Sequence, residues 1–369
     1  GLDEQLTSVI AKYTPLSPEE LKDGAFDIHW FFEAYENVGE KDFKLLYDAA
    51  KYSSAGAAHA RARKYADAAL GKVKKEDLKA EIDAKRNKDL LMSIGILPLP
   101  KQKHKMEEEL LDRYQFIQKY KKESRQFGAQ RRASEGRAVE IALQNLSVNA
   151  GFTDVTRLML RMEGKLVEQS AEYFDWKPVE ELELMISIDE YGKSSLKCRK
   201  GGKLLKAIPS KYKKNDAVKK YQEINKQLKE QYVRTKQMME QAMEDQTSFE
   251  VWEFLELRKN PVVRPIVEFL VVKRIGHTAA DTAPIGFLTD KGLVDDLGNV
   301  LPVKPDDKIL IAHPFDLYAS GRWHEYQKLL FEKKIRQPFK QVFRELYLKL
   351  EEELDKDDSR LFSGNQIQP

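Results

Sequence analysis

The chain has 369 residues, which is long for one hydrophobic core and predicts two or three domains. Hydrophobic residues make up 41% of the sequence, enough to build cores, while 33% charged residues indicate a large exposed helical surface. The net charge is only +3, and the single cysteine, Cys198, excludes an intrachain disulfide framework and a thiolate zinc site within one chain.

The first half of the sequence predicts helices. Several short helices follow one another before residue 98, which indicates a bundle or a HEAT-like solenoid, although no clean internal period supports the solenoid. The stretch Leu97–Lys103 contains two prolines and predicts a linker. One long helix over 106–147 and a second helix over about 153–174 then follow. We therefore divide this half into a helical region 1–98 and a second helical region 105–176.

Small side chains cluster on roughly one side of the predicted long helix. They are Gly128, Ala129, Ala133 and Gly136. A glycine costs a helix about 1 kcal/mol relative to alanine, and close approach of another backbone is the usual compensation. The pattern predicts a close helix contact at Gly128, where leucine would overpack.

At residue 182 the apolar period changes from helical to two. Residues 182–188 alternate apolar and polar side chains, as in a half-buried strand. Gly192 and Gly201-Gly202 predict turns into strands at 195–200 and 203–205, with Leu196 and Cys198 facing inward.

A long helix over about 214–246 follows this hairpin, and shorter strands then alternate with turns as far as 308–312. Region 181–369 is therefore predicted as an α+β domain with antiparallel hairpins. For the whole chain we predict a mostly helical α+β fold.

Three stretches are distinctive enough to suggest a family. They are Glu123–Glu135 (ESRQFGAQRRASE, running on to Gly151), Ile311–Leu317 (IAHPFDL) and Arg336–Leu346 (RQPFKQVFREL). Together they resemble the MolR/YehI-like family of large bacterial proteins, an uncharacterised domain of unknown function often found with a WGR module. The resemblance covers roughly residues 105–365 and implies no activity. Gly1 without a methionine and the end at 362–369 predict a multidomain fragment truncated at its C-terminus.

Standard catalytic signatures are absent from the sequence. Gly71-Lys72 lacks the other P-loop residues, and His324-Glu325 is followed by Lys328 where a zincin needs its second histidine. The histidines show no metal-ligand spacing, so we predict no metal and no cofactor. His313 and Asp316, just after a predicted strand, are weak catalytic candidates, although a lone histidine is more often a hydrogen-bonded structural residue.

Two basic clusters predict anion binding. Arg125, Arg131 and Arg132 could grip phosphate or carboxylate, or they could belong to a structural network between neighbouring elements. The stretch 191–236 contains fifteen lysine or arginine residues and only three acidic residues. This basic stripe fits nucleic acid or an acidic partner, or else a solvated lysine face. Its candidate binding residues are Lys197, Arg199, Lys200, Lys203 and Lys206.

Three functions remain open. The sequence favours a non-catalytic interaction or scaffold module of a larger protein, whose partners are other domains of that protein or other proteins. One alternative is a nucleic-acid-associated, regulatory protein that binds weakly and non-specifically through the basic stripe. The other is an enzyme whose site is completed by a missing C-terminal region. The apolar runs are too short for a membrane span and no secretion signal is present, so we predict a cytoplasmic protein without a membrane partner.

Overall fold

The computed structural model describes residues 16, 20, 23–50, 56–276 and 283–346. The chain divides into two compact units, Gly1–Leu166 and Val167–Pro369. The fold is α+β and mostly helical, with a helical N-terminal region and antiparallel sheets in the C-terminal region, as predicted. The expectations placed on Gly1 and on residues 362–369 lie outside the described residues.

Unit 1 is built from helices around one hydrophobic core. The core contains Ile82 and Leu91 from the predicted region 1–98 together with Tyr114 and Ala142 from the predicted region 105–176. Both regions therefore contribute to the same core. The helices are α1 (Ile28–Val38), α2 (Glu40–Ala50), α3 (Gly56–Ala69), α4 (Lys75–Lys85), α5 (Lys88–Ile94), α6 (Lys103–Glu123), α7 (Ala129–Ala150) and α8 (Val155–Ser170).

The predicted linker at Leu97–Lys103 does interrupt the helices, but its first part is fixed. Leu97 is buried, and the guanidinium of Arg113 on α6 donates to the carbonyls of Leu97 at 2.7 Å and Pro98 at 2.8 Å. The same guanidinium donates to Glu109 at 2.9 Å. Arg113 is only 2% exposed, so this buried charge is compensated by hydrogen bonds on several sides.

The prediction of one helix over 106–147 is wrong. Helix α6 ends at Glu123, a 3₁₀ turn covers Ser124–Gln126, and α7 begins at Ala129 after an extended Phe127 and Gly128. The physical reason is a contact between Ser124 and Glu135, whose oxygens lie 2.5 Å apart. Eleven residues of continuous helix would separate these residues by about 16 Å, so the contact requires the break.

The predicted close contact at Gly128 and Gly136 is also wrong. A Cβ at either glycine would meet nothing within 4 Å, and Ala129 and Ala133 are exposed. The close approach lies instead at Gly95, which ends α5. A Cβ there would lie 2.7 Å from the carbonyl oxygen of Ala142 and 2.7 Å from the amide nitrogen of Leu146 on α7. Backbone atoms of a packed helix cannot rotate away as a flexible side chain can.

We expect Gly95→Ala and Gly136→Ala to change stability in opposite directions. The added methyl at Gly95 overlaps the backbone of α7 and should destabilise the protein by about 1–3 kcal/mol. The same methyl at Gly136 meets open space inside a helix and should stabilise by up to about 1 kcal/mol. Urea unfolding of the two variants measures both effects, and a neutral Gly95→Ala would contradict the packing of α5 on α7.

Unit 2 begins with a four-stranded antiparallel sheet covered by the predicted long helix. The strands β1 (Lys177–Val179), β2 (Leu182–Ile188), β3 (Ser194–Lys200) and β4 (Lys203–Leu205) lie in that order. In the register Leu184 lies opposite Cys198 and Ile186 opposite Leu196. These side chains form the inner face and pack in one cluster with Val218 and Leu228 of helix α9 (Asp216–Glu244).

A second, six-stranded antiparallel sheet completes unit 2. Its strands are β5 (Ser248–Glu250), β6 (Val271–Arg274), β7 (Ile285–Thr289), β8 (Gly292–Val294), β9 (Val300–Leu301) and β10 (Lys308–Ile311). They lie in the order β5-β10-β6-β7-β8-β9, so β10 returns to lie between β5 and β6. The accompanying helices are α10 (Val251–Leu257), α11 (Arg264–Val267), α12 (Pro314–Ala319) and α13 (Trp323–Glu332). Val271, Ala312, Leu317 and Tyr326 share a core cluster.

Cys198 should react slowly with thiol reagents in the native protein. Its side chain lies on the inner face of the sheet, is 3% exposed, and burial raises the pKa of its thiol. We expect labelling to be at least about tenfold slower than for Lys197→Cys in a Cys198→Ser background, since residue 197 is exposed on the other face. Stopped-flow labelling gives both rates, and equal rates would show a wrong strand register.

Candidate functional site

The side chain of Arg86, which is 12% exposed, holds the ESRQFGAQRRASE block (Glu123–Glu135) together, although Arg86 itself lies outside it. Arg86 ends α4 in the left-handed conformation, with φ 49° and ψ 42°. Its Nη2 donates to Glu135 Oε2 at 2.7 Å and its Nε to Glu135 Oε1 at 3.1 Å. It also donates to Glu123 Oε2 at 3.0 Å, to the Tyr120 carbonyl at 3.0 Å and to Ser124 Oγ at 3.1 Å, and its guanidinium carbon lies 3.8 Å from the centre of the Tyr120 ring. One side chain therefore ties α4 to α6 and α7.

Glu135 is the acidic centre of the same network and stays ionised despite its burial. Its side chain is 3% exposed. Burial by itself would raise the pKa of Glu135, but the hydrogen bonds from Arg86, Ser124 and Arg131 outweigh it and lower the pKa to about 2. A fully compensated carboxylate of this kind is suited to holding helices in place.

The three arginines predicted as an anion site are in different environments. Arg131 donates to Glu135 at 3.1 Å and lies 3.6 Å from the centre of the Phe127 ring, so it belongs to the structural network. Arg125 and Arg132 are exposed, and within the described residues their guanidiniums make no hydrogen bond or ion pair. The alternative of a structural network thus accounts for Arg131.

The RQPFKQVFREL stretch is organised by a buried amide. Gln341 is 0% exposed, and its Oε1 accepts from the Val271 amide at 2.9 Å and from Gln337 Nε2 at 2.8 Å. Its Nε2 donates to the carbonyls of Val271 at 2.7 Å and Ala312 at 2.8 Å. All four hydrogen bonds of the side chain are made, so Gln341 fastens this stretch to β6 and to the residue after β10.

His313 and Asp316 form a helix cap. His313 Nδ1 accepts from the Phe315 amide at 3.2 Å, and Asp316 Oδ2 accepts from the His313 amide at 2.9 Å, which together begin α12. Asp316 Oδ1 also accepts from Lys273 Nζ at 2.8 Å. His313 Nε2 lies 3.6 Å from Glu244, which is itself paired with Arg344 at 2.5 Å. His313 Nδ1 and both carboxylate oxygens of Asp316 are engaged in these contacts.

The basic stripe divides into paired and unpaired cations. Arg199 lies opposite Glu183 in the β2–β3 register and holds it through two hydrogen bonds of 2.7 and 2.8 Å, while its guanidinium stacks on Trp176. Lys200 donates to Glu181 at 2.5 Å, and this bond is the main reason that the pKa of Glu181 falls to about 2.

The remaining three candidates are Lys197, Lys203 and Lys206. Together with Leu204 on β4, the edge strand of the sheet, they form what we call the hairpin surface. In the register Leu204 lies opposite Arg199 and shares a face with Lys197, while Lys203 lies opposite Lys200 on the other face. All four residues are exposed, and Leu204 is 69% exposed. Across the described ranges none of the three ammonium groups has a hydrogen-bond or ion-pair partner. This surface is the part of the basic stripe that is free to meet a ligand.

Sequence reasoning missed the residues that compensate these clusters. Arg86 lies 37 residues from Glu123 and 49 residues from Glu135, a separation at which no local pattern connects them. Glu181 and Glu183 fall just outside the 191–236 window, but they precede or lie in the strand that pairs with β3. Aligning the two predicted strands as an antiparallel pair would have placed Glu183 opposite a basic residue.

The described residues contain no candidate metal-ion cluster and no candidate membrane-spanning helix. No group of three or more His, Cys, Asp or Glu side chains is placed to hold a metal ion there. None of the described helices is both long and apolar enough to cross a membrane.

Comparison with known families gives two matches, separated by residues 163–201. Residues 1–162 match a model described as Family of unknown function (DUF5724), and residues 202–369 match one described as Domain of unknown function (DUF4132). The first match ends within α8, close to the boundary between the units. The second begins in the turn between β3 and β4. No curated protein and no solved structure matches the chain, so the comparisons assign no function.

We expect Glu135→Gln to destabilise the protein in a pH-dependent way. A folded-state pKa of about 2, below the usual 4.5, stabilises the fold above pH 4.5, and this contribution is lost as the pH falls toward 2. The shift corresponds to about 3 kcal/mol at pH 7. Urea unfolding between pH 3 and pH 7 should show the difference from wild type shrinking at low pH.

Glu140→Gln is the matched control on the same helix, because Glu140 is 67% exposed and is paired with Arg137 on the protein surface. We expect it to cost less than about 1 kcal/mol at any pH. Equal effects of the two substitutions, or a Glu135→Gln effect that does not change with pH, would contradict the assignment.

Proposed function

We propose that this chain is a non-catalytic interaction module that binds an acidic protein segment through the hairpin surface. The observation that carries the proposal is the combination of three ammonium groups without partners, on Lys197, Lys203 and Lys206, with the exposed side chain of Leu204. Such a surface complements a segment that carries both carboxylates and apolar side chains.

The polar side chains that stand out in the sequence make contacts that stabilise the fold, which supports a non-catalytic role. His313 and Asp316 cap a helix, and Arg86 and Glu135 join α4 to α7. A nucleophile or general base needs a free lone pair directed at a substrate. Cys198, the single thiol of the chain, is buried on the inner face of the four-stranded sheet.

The wider assignment of the protein is also part of this proposal. The ESRQFGAQRRASE, IAHPFDL and RQPFKQVFREL stretches support membership of the MolR/YehI-like bacterial family, and with it a role inside a larger multidomain protein. The single unpaired cysteine fits the cytoplasm, where thiols stay reduced.

Nucleic-acid binding is the second candidate, favoured by further exposed lysines on α9. Lys219, Lys220, Lys226 and Lys229 are exposed on this helix. The stripe offers little for reading bases, since Tyr212 and Tyr221 are buried and the Trp176 ring is covered by Arg199. Binding would therefore run through phosphates, without sequence preference.

Two labelled probes distinguish the candidates in fluorescence anisotropy titrations: a peptide of alternating glutamate and leucine, and an oligo-dT strand. We expect the peptide to bind, and the triple variant Lys197→Glu/Lys203→Glu/Lys206→Glu to weaken it more than about tenfold through like-charge repulsion. Leu204→Ser should weaken the peptide and leave oligo-dT unchanged, because a phosphate backbone makes no use of an exposed leucine.

The control variant Lys328→Glu/Lys333→Glu/Lys340→Glu makes the same change in charge at exposed positions elsewhere in unit 2. It should alter peptide affinity less than about threefold at 0.15 M salt, because separated surface charges are screened. Oligo-dT binding with a log–log salt slope of about −0.7 per phosphate, insensitive to Leu204→Ser, would favour the second candidate. The proposal would be overturned if neither the peptide nor the oligo-dT strand bound to the protein.

A further inference from the structure

An open cavity of about 740 Å³ lies in unit 2 beside α10, at the turn between β7 and β8 and along the segment after β9. Its size falls within the range of small-molecule sites, roughly 300–1,000 Å³. None of its lining residues belongs to the hairpin surface. A ligand bound here is therefore distinct from the acidic segment assigned to that surface.

Hydrogen bonds of the backbone hold the walls of the cavity in place. The Trp252 amide at the start of α10 donates to the Pro305 carbonyl at 3.0 Å. At the turn between β7 and β8, the Lys291 amide donates to Thr289 Oγ1 at 3.2 Å, and the same hydroxyl donates to the Gly292 carbonyl at 2.8 Å. The cavity is therefore formed before a ligand enters, as small-molecule sites usually are.

One part of the lining is apolar and contains an exposed aromatic ring. Trp252 is 52% exposed, and its indole N–H donates to Glu250, which restricts the orientation of the ring. Leu255, Pro302 and Pro305 add apolar surface, and both prolines are exposed. These side chains would lose contact with water on binding an apolar ligand, and an aromatic ring of that ligand would pack on the indole.

Three of the four cations that line the cavity are matched by three carboxylates. The ion pairs are Arg258 with Asp290 at 3.3 Å and with Glu268 at 3.6 Å, Arg264 with Glu268 at 3.2 Å, and Lys259 with Glu256 at 2.7 Å. The ammonium group of the fourth cation, Lys291, has no hydrogen-bond or ion-pair partner in the part of the chain that the structure describes. One positive charge is therefore left, which complements one carboxylate.

We infer that this cavity binds a small aromatic monocarboxylate, with the carboxylate on Lys291 and the ring against Trp252. Lys291 lies on the turn between β7 and β8, and Trp252 lies on α10, so the charged and apolar parts of the ligand contact different elements of the wall. A second negative charge on the ligand would find no further unpaired cation in the lining that the structure describes.

Isothermal titration of the full chain with 3-phenylpropionate and two matched compounds tests the two parts of the ligand. 3-Phenylpropanamide keeps the ring and the shape without the charge, and propionate keeps the charge without the ring. We expect 3-phenylpropionate to bind at least about threefold tighter than the amide, as one partly exposed ion pair would give. It should bind at least about tenfold tighter than propionate, which lacks the apolar contacts.

Two substitutions separate the assigned contacts. Lys291→Gln should weaken 3-phenylpropionate by at least about threefold and leave 3-phenylpropanamide unchanged, because only the acid uses the ammonium group. Trp252→Ala should weaken both compounds by at least about threefold, because both carry the ring.

Lys304→Gln is the matched control. Lys304 is exposed, and its ammonium group is also without a partner among the described residues, but its side chain does not line the cavity. We expect it to change the affinity for 3-phenylpropionate less than about 1.5-fold at 0.15 M salt, because a separated surface charge is screened.

The inference is overturned if 3-phenylpropionate does not bind the wild-type protein, or if the amide binds as tightly as the acid. Equal weakening by Lys291→Gln and Lys304→Gln would also overturn it, because attraction by surface charge alone would then suffice. Melting temperatures without ligand show whether each variant folds. Should Trp252→Ala not fold, Trp252→Leu keeps apolar surface without the ring and should still weaken both ring compounds.

Discussion

The paired hydrogen bonds between Arg86 and Glu135 are the contact on which unit 1 depends. The same guanidinium also donates to the Tyr120 carbonyl on α6. The full set of Arg86 contacts therefore forms only when α4, α6 and α7 are all in place. Removing one partner of a buried pair leaves an uncompensated charge and typically costs about 3–5 kcal/mol. The break between α6 and α7 follows from this contact, since Glu135 must also reach Ser124.

In unit 2 a buried amide, in place of an ion pair, holds separate elements together. Gln341 supplies two acceptor and two donor contacts to backbone groups and to Gln337, as a neighbouring strand would. Two of the stretches that suggest a family therefore carry buried polar networks, and the third carries the His313–Asp316 cap. Their distinctive composition is explained by hydrogen bonding within the fold. It is not, by itself, a sign of catalysis.

The sequence predicts what depends on local pattern and fails where distant partners decide. The β2–β3 hairpin follows from period-two alternation and the turn at Gly192, and α9 follows from its helical apolar spacing. The helix break at 124–128 and the close contact of Gly95 depend on residues far along the chain. For the candidate site, the basic stripe was visible in sequence. Its division into paired and unpaired cations was not, because Glu181 and Glu183 act across strands.

The state of each cation therefore carries more functional information than its position in the sequence. Arg86 and Arg113 are enclosed and well bonded, as structural arginines should be. Lysines on a short edge strand such as β4 also protect the sheet from pairing with other chains, so exposed lysines alone would prove little. Arg258 is enclosed as well, and it is paired with Asp290 at 3.3 Å and with Glu268 at 3.6 Å. Its ion pairs place it with the structural arginines, whereas the lysines of the hairpin surface are among the cations that the fold leaves without partners in the described residues.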